Sequence, residues 1–515
     1  MNRKIRNTLF FLLVLVLIFD NIPKPIQLGF IGGPVGNKLE VYPLLVGFLY
    51  SFYCQYKYKN IFIDFKLFIR YLLFFMGVMT LSTILGLIFY PYYDLVLNGP
   101  VEQIAKLPIV LSFLHAHGIH VDSKFLMQVW IIARQIKGIV MESFWCFGGA
   151  YMIYCWYKNE WNEAVTIMVR GIVFAFLFLF AYALIEIPYL MGIPIAADIL
   201  STINPYIHTV VTNHGWWPPL LWKGQLRLVF PEPSHVGNFI AIGLPIIWYM
   251  YFNPQKKLSQ IALPITVIMS FLVFLTKART AWAMLFGMLV LLFCLIVYGG
   301  NQQYRLLKKY GMILACVVVG FIGFIQISSY GHSLQSTGNI AIQSIESNLG
   351  SLTSENKRSN GARYALLKAH FRTGAEHPVL GVGKGLTSAY VHDHFTAEEA
   401  KNKEVASWIK YQAERGPMAT GYSIPDAMNE FVSRFSSTGI LGTTIFFFPF
   451  AYVIFQLLKQ WKRKQNIVAM FMAFALISSI VAGCNGSVNL LYAVWLLLGL
   501  GYAITFGTKE KKNMQ

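Results

Sequence analysis

Charge is scarce in this sequence. Asp, Glu, Lys and Arg make up 13% of its 515 residues, where soluble globular domains carry roughly 25%. With 56% hydrophobic and 16% aromatic residues, it lacks the polar surface of a water-soluble fold. Acidic residues are scarcer still, 23 against 42 Lys and Arg, for a net charge of +19. That excess does not read as a nucleic-acid surface, because the basic residues are dispersed over many loops. The six cysteines, Cys54, Cys146, Cys155, Cys294, Cys316 and Cys484, fall in or beside apolar runs. No CxxC pair occurs, so neither a zinc site nor a disulfide framework is suggested. No internal repeat is visible, which weighs against a transporter built from two similar halves. No small-residue cleavage site follows the first apolar block, Thr8–Phe19, so it reads as a retained anchor rather than a signal peptide.

What the chain has instead is a series of apolar blocks near the ~20 residues needed to cross a bilayer. About twelve are countable: Thr8–Phe19, Tyr42–Tyr56, Tyr71–Tyr90, Gly138–Tyr157, Thr166–Tyr189, Val236–Phe252, Ile261–Thr276, Thr280–Tyr298, Gly311–Ile327, Gly439–Leu458, Ile467–Ala482 and Val488–Phe506. The expected class is an all-α polytopic membrane protein with about twelve transmembrane helices and a large, partly helical external loop. Four regions follow: N-terminal helices in 1–190, central helices in 191–327, the large loop in 328–438, and C-terminal helices with a cytoplasmic tail in 439–515.

Alternate crossing puts Arg3/Lys4/Arg6, Lys57/Lys59/Lys66, Lys256/Lys257, Arg305/Lys308/Lys309, Lys462–Lys464 and Lys509/Lys511/Lys512 on one face. The positive-inside rule makes that face cytoplasmic, with both termini on it. Three long connections, Pro91–Lys137, Met191–His235 and Ser328–Thr438, lie opposite. The last is too long for an idle linker. Within it, Arg363–Arg372 reads as a helix with an apolar stripe of Tyr364, Leu367 and Phe371. The charged stretch around Glu398–Glu404 reads as mobile. Gly381-Val-Gly383 lacks the preceding strand and third glycine of a dinucleotide fingerprint.

Chemistry gathers in a few places. Phe230-Pro-Glu-Pro-Ser-His-Val-Gly237 puts a carboxylate, a hydroxyl and an imidazole in one proline-flanked turn at the start of a span. Polar groups so placed face a cavity rather than lipid. Glu232 reads as a general base beside His235, or Ser234 and Glu232 as a helix cap. Arg279, with Lys277, stands in a short hairpin between two spans. It reads either as an interfacial anchor or as a guanidinium for an anionic headgroup or diphosphate. Arg363 and Lys384 in the large loop read as anion contacts or as solvated residues. His370, His377, His392 and His394 are individually weak signals, and no metal site is expected. Glu142 and Glu186, inside spans, read as bordering the same cavity or as pairing locally, Glu142 with Arg134 or Lys137.

Five features then recur in order: Glu232-Pro-Ser-His235, Lys277-Ala-Arg-Thr-Ala-Trp282, Arg363 opening a loop helix, Glu376-His-Pro-Val-Leu-Gly-Val-Gly383, and Asn429-Glu-Phe followed by Ser437-Thr-Gly-Ile-Leu-Gly442. Together, over roughly Met191 to Gly442, they resemble the O-antigen polymerase/ligase superfamily. The resemblance implies a GT-C-like membrane glycosyltransferase of the bacterial cytoplasmic membrane, working at its outer face without cofactor or metal. Its substrates would be undecaprenyl-diphosphate-linked glycans. A flippase and a chain-length regulator are the implied partners. It implies Glu232, His235, Arg279 and Arg363 as catalytic residues, and Arg227, Lys277, His370, Lys384 and Asn429 as substrate-binding ones. Ligases of this superfamily carry a His-Asn pair where this chain has Met428-Asn429, which favours polymerisation of repeat units over ligation of finished glycan.

Overall fold

The computed structural model describes residues 1–29, 31, 33–59, 61–99, 107–210, 218–253, 257–300, 303–328, 358–418, 424–484 and 486–507. The expected basic positions Lys256, Lys509, Lys511 and Lys512, and the start of the large loop, lie outside them. Among the described residues there are helices and no strands. The N-terminal region forms α1 (Arg3–Leu15), α2 (Gly33–Gly36), α3 (Val41–Tyr58), α4 (Phe65–Ile88), α5 (Tyr93–Leu97), α6 (Leu107–Ala116), α7 (Ser123–Glu142), α8 (Gly149–Tyr157) and α9 (Trp161–Leu190). Next come α10 (Pro194–Ile207), α11 (His235–Phe252), α12 (Ala262–Leu275), α13 (Arg279–Gly299) and α14 (Gln303–Ser328). The large loop contributes α15 (Arg358–Glu376), α16 (Thr387–Asp393) and α17 (Lys403–Arg415). The chain ends in α18 (Glu430–Lys464), α19 (Ile467–Gly483) and α20 (Tyr492–Phe506).

Six of these, α4, α9, α11, α13, α14 and α18, are long and apolar enough to cross a membrane. The chain is an all-α membrane protein. The other expected spans also fall on helices, but shorter, less apolar or interrupted ones: α1, α3, α12, α19, α20, and α7–α8 joined by a π-turn at Ser143–Gly148. The interior belongs to α11. It is apolar all round, 83% of its span is buried, and it packs against α9, α12, α13 and α19. By contrast α14 is only 28% buried and turns Val318, Val319 and Ile322 outward. Such a face suits lipid and would be an aggregation site in water.

The two ends of the bundle differ in charge. At one end Arg6 is buried against Glu160 (2.5 Å) and Glu163 (2.8 Å), and Lys309 caps the α11 C-terminus by donating to Tyr251 and Phe252 carbonyls at 3.1 Å. Lys462–Lys464 lie in the last turn of α18. At the other end meet the chain after α1, the start of α11, the α12–α13 hairpin and the α19–α20 hairpin.

The large loop builds on α18, which is two helices in one. Gly439 breaks it with φ 64° and ψ −170°. The chain at 378–383 crosses this break and satisfies the backbone groups it frees. Val382 N donates to Ser436 O (3.0 Å), Gly383 N to Ser437 O (2.9 Å), and Ile440 N to Pro378 O (2.8 Å). Gly381 and Gly439 both have positive φ and leave no room for a side chain at the crossing. Two expectations are corrected here. The buried face of α15 is Ala362, Ala365, Leu366, Ala369, His370 and Thr373, while Tyr364 and Phe371 are exposed. The stripe was displaced because the buried face is built of alanines, which a hydropathy pattern reads weakly. The stretch Glu398–Glu404 is ordered: Arg372 forks onto Glu399 at 2.7 and 2.9 Å, and Asn402 caps α17.

Candidate functional site

The Glu232 turn is shaped by prolines at 231 and 233 and by short-range hydrogen bonds, His235 N to Glu232 O (3.2 Å) and Gly237 N to Ser234 O (3.0 Å). Gly237 lets α11 lie against α13. A Cβ there would stand 2.9 Å from Ala281 Cα. That close approach brings the turn beside the α12–α13 hairpin. The hairpin reverses through Lys277 in the left-handed region (φ 48°), with Ala278 N donating to Thr276 Oγ1 (3.1 Å). From above, α15 reaches in. Arg279 donates to Asn360 Oδ1 (2.7 Å), and Arg363 lies three residues further along the same helix face.

These elements enclose a cavity of about 510 Å³, within the usual range for ligand sites. Glu232, His235, Lys277, Arg279 and Arg363 all line it. Its far wall is the α19–α20 hairpin, with Gly483, Gly486, Ser487 and Leu491. Trp222 and Gln225 complete the rim. An apolar groove of about 430 Å³ shares Ser234, Asn238, Thr280 and Ala482 with it. The groove runs on between α11, α13 and α19 past Ala283, Met284, Gly287, Leu291 and Ile477. A polar chamber thus opens into an apolar slot along the bundle.

Inside the cavity, Glu232 Oε1 accepts from Ser234 Oγ at 2.5 Å and lies 3.6 Å from His235 Nε2. The capping alternative is corrected: neither side chain caps α11, because they bond each other. His235 Nδ1 meets Asp20 at 2.5 Å, and Asp20 also pairs with Lys38. Burial pushes the Asp20 carboxyl up, but Lys38 and His235 outweigh it and hold it well below the carboxylate range. Burial opposes the Lys38 charge, yet Asp20 and Glu40 raise its pKa overall. Asp20, Asn37 and Lys38 were missed in the sequence. The available signal was an acid directly beyond an apolar block in a chain poor in acids.

Four expected substrate contacts do not line the cavity, and each has another place. Arg227 is 1% exposed; its Nη2 donates to Leu220 O (3.0 Å), and its backbone N donates to Glu186. Burial lowers its pKa, and burial with Arg227 nearby drops His208 to about 3. His370 is buried between α15 and α18, with Nε2 donating to Pro425 O (3.2 Å) and Nδ1 2.9 Å from Ser436 Oγ. Burial holds its imidazole below the ordinary histidine range. Lys384 pairs with Glu142 (3.2 Å), and Asn429 is the N-cap of α18, accepting from Val432 N (3.1 Å). Arg363 does not open its helix, which begins at Arg358.

The two span carboxylates are also accounted for away from the cavity. Glu186 receives Arg227 N (2.9 Å) and Leu228 N (2.8 Å). Glu142 pairs with Arg434 (2.5 Å) and Lys384, not with Arg134 or Lys137. Arg434 also pairs with Glu430, which accepts Val488 N (3.1 Å), while Asn489 donates to Glu142 (3.0 Å). This buried network braces the hairpin that walls the cavity. Among the described residues no three His, Cys, Asp or Glu are placed to hold a metal ion together, and His394 pairs with Glu376 at 3.0 Å.

Comparison with known families points the same way. Residues 264–447 match the O-antigen ligase family. The match bears out the resemblance of this stretch to the O-antigen polymerase/ligase superfamily and supports a membrane enzyme of that type. This match covers the hairpin with Arg279, the helix with Arg363 and the break at Gly439, but begins downstream of Glu232 and His235. No curated protein matches the chain.

Proposed function

We propose that this protein polymerises undecaprenyl-diphosphate-linked oligosaccharide repeat units into O-antigen, capsule or exopolysaccharide at the outer face of the bacterial cytoplasmic membrane. The observation that carries this reading is the joined pair of spaces. A polar chamber lined by four cations, Lys38, Lys277, Arg279 and Arg363, and two carboxylates, Asp20 and Glu232, continues into an apolar slot between helices. A ligand with a diphosphate head and a long hydrocarbon tail fits both chemistries.

In the reaction, a hydroxyl of the acceptor repeat unit attacks the anomeric carbon of the donor. A new C–O bond forms as the bond to the diphosphate oxygen breaks, and its electron pair leaves with the lipid diphosphate. Arg279 and Arg363, with Lys277, meet the developing negative charge. Glu232 takes the hydroxyl proton, with His235 orienting it or acting in its place. Single displacement gives inversion, and the cations fill the electrostatic role without a metal. The large loop, whose helix α15 brings Arg363 to the chamber, limits water that would hydrolyse the donor.

The test uses a strain whose polymer is visible on a gel. Arg279→Ala and Glu232→Gln should each lower polymerisation by about 10²–10³ at normal protein levels. Long polymer from both variants removes them from the mechanism. A second reading rests on the family description, O-antigen ligase. Product analysis separates the two: loss of a polymerase leaves single repeat units on the carrier lipid, and loss of a ligase leaves long polymer there.

A further inference from the structure

Asp20 stands outside everything described for the transfer chemistry. It follows the first helix, hundreds of residues before the matched stretch 264–447. Yet it reaches the cavity and meets His235 Nδ1 at 2.5 Å. Its side chain and that of His235 are only 20% and 27% exposed, so this is an enclosed contact and not a surface pair. The other Asp20 oxygen is taken by Lys38. A carboxylate at Nδ1 requires the ring proton to sit there, which leaves Nε2 turned toward Glu232, 3.6 Å away. A small void of about 20 Å³ lies behind, bounded by Asp20, Lys38, Glu40, His235, Asn238 and Tyr492. That is room for one water. The Glu40 Oε2 and Tyr492 hydroxyl have no hydrogen-bond partner among the described residues, so polar atoms await it.

We infer that Asp20 is the positioning residue for His235, fixing its tautomer and aiming Nε2 at the acceptor hydroxyl, so that the N-terminal segment supplies part of the transfer site. The inference rests on the transfer reading above. The proton leaving the acceptor oxygen passes to Glu232 or to Nε2. In the second case the ring becomes an imidazolium held between two carboxylates. Burial favours the neutral acid, but Lys38 and His235 keep Asp20 ionised, so it is present as the acceptor this role needs. The charged and titratable groups facing the pair are Lys38 and Glu40 from the chain before α3, Glu232 from the turn, Lys277 and Arg279 from the hairpin, Arg363 from α15 and Tyr492 from α20.

Two measurements on the purified full-length protein test it. In the first, ¹⁵N-histidine NMR of the membrane-reconstituted protein identifies the His235 signal by its loss in His235→Gln. Asp20→Asn should shift that signal away from the Nδ1-protonated form. In the second, turnover of a lipid-diphosphate-linked oligosaccharide should fall by about 10²–10³ in Asp20→Asn, with a displaced pH–rate profile. Asp20→Glu should restore part of both. An unchanged His235 signal overturns the inference, and so does a shifted signal with unchanged turnover. If the wild-type protein does not turn the donor over, the transfer reading fails by itself. The NMR arm then decides: a shift upholds the Asp20–His235 link, and its absence ends it. Should Asp20→Asn not accumulate, Asp20→Ser gives both readings, and wild-type values in both would equally overturn the proposal.

Discussion

Glu40 shows how one buried side chain sets a pH dependence. It is 5% exposed at the start of α3, and burial, offset in part by Lys38 and reinforced by Asp20, lifts its carboxyl from 4.5 to about 7. An acid with a raised folded pKa binds its proton more tightly in the folded chain. Folded stability is then fully present below the unfolded value and falls as pH rises through about 7. A difference of that size corresponds to roughly 3 kcal/mol. Glu40→Gln should therefore flatten the loss of thermal stability between pH 5 and about 8, measured by thermal aggregation in detergent. Identical wild-type and variant profiles would show that Glu40 is not the group responsible. On the cavity rim, Arg363→Lys should retain more polymer than Arg363→Ala, because it keeps the charge and loses only the planar fork. Equal polymer from both substitutions would mean that charge at 363 is irrelevant.

Among the elements, the broken helix α18 makes the sharpest demand. Its break at Gly439 has a backbone geometry that only glycine adopts without strain, about 1–3 kcal/mol for other residues. A methyl there would also strike the Val379 carbonyl of the crossing segment. Gly439→Ala should lower the yield of folded protein sharply. Gly77→Ala, in α4 with nothing within 4 Å of the new methyl, should be neutral or stabilising by up to about 1 kcal/mol. Fluorescence-detected size exclusion reads both, and a normal Gly439→Ala profile would contradict the crossing. The same geometry explains two of the recurring sequence features. Glu376-His-Pro-Val-Leu-Gly-Val-Gly383 and Ser437-Thr-Gly439 are the two sides of one chain crossing, which fixes the loop helices, and with them Arg363, over the cavity.

For the molecule as a whole, the separation of its ends is the governing fact. Arg6, Lys309 and Lys462–Lys464 gather at one end, and the cavity lies at the other. The proposed function needs the cavity outside the cell, which is the side the positive-inside rule favours for the end with fewer basic residues. In a variant without native cysteines, Lys401→Cys on the large loop should react with a membrane-impermeant maleimide in intact cells. Lys459→Cys should react only after lysis. Reversed labelling would put the chamber in the cytoplasm and end the proposed reaction there.

The sequence by itself determined the membrane class and the run of helices, and it marked out Glu232, His235, Arg279 and Arg363, which line one cavity. Each of these is a local property, since apolar run length and polar groups at the edge of such a run are visible without a fold. Tertiary structure alone decided which polar residues meet. Asp20 and Lys38 join His235 from far along the chain, whereas Arg227, His370, Lys384 and Asn429 turn to structural contacts away from the cavity. A cation that neutralises a buried carboxylate and one that awaits a ligand have the same letter in the sequence. Only the partner brought within a few ångströms by packing tells them apart.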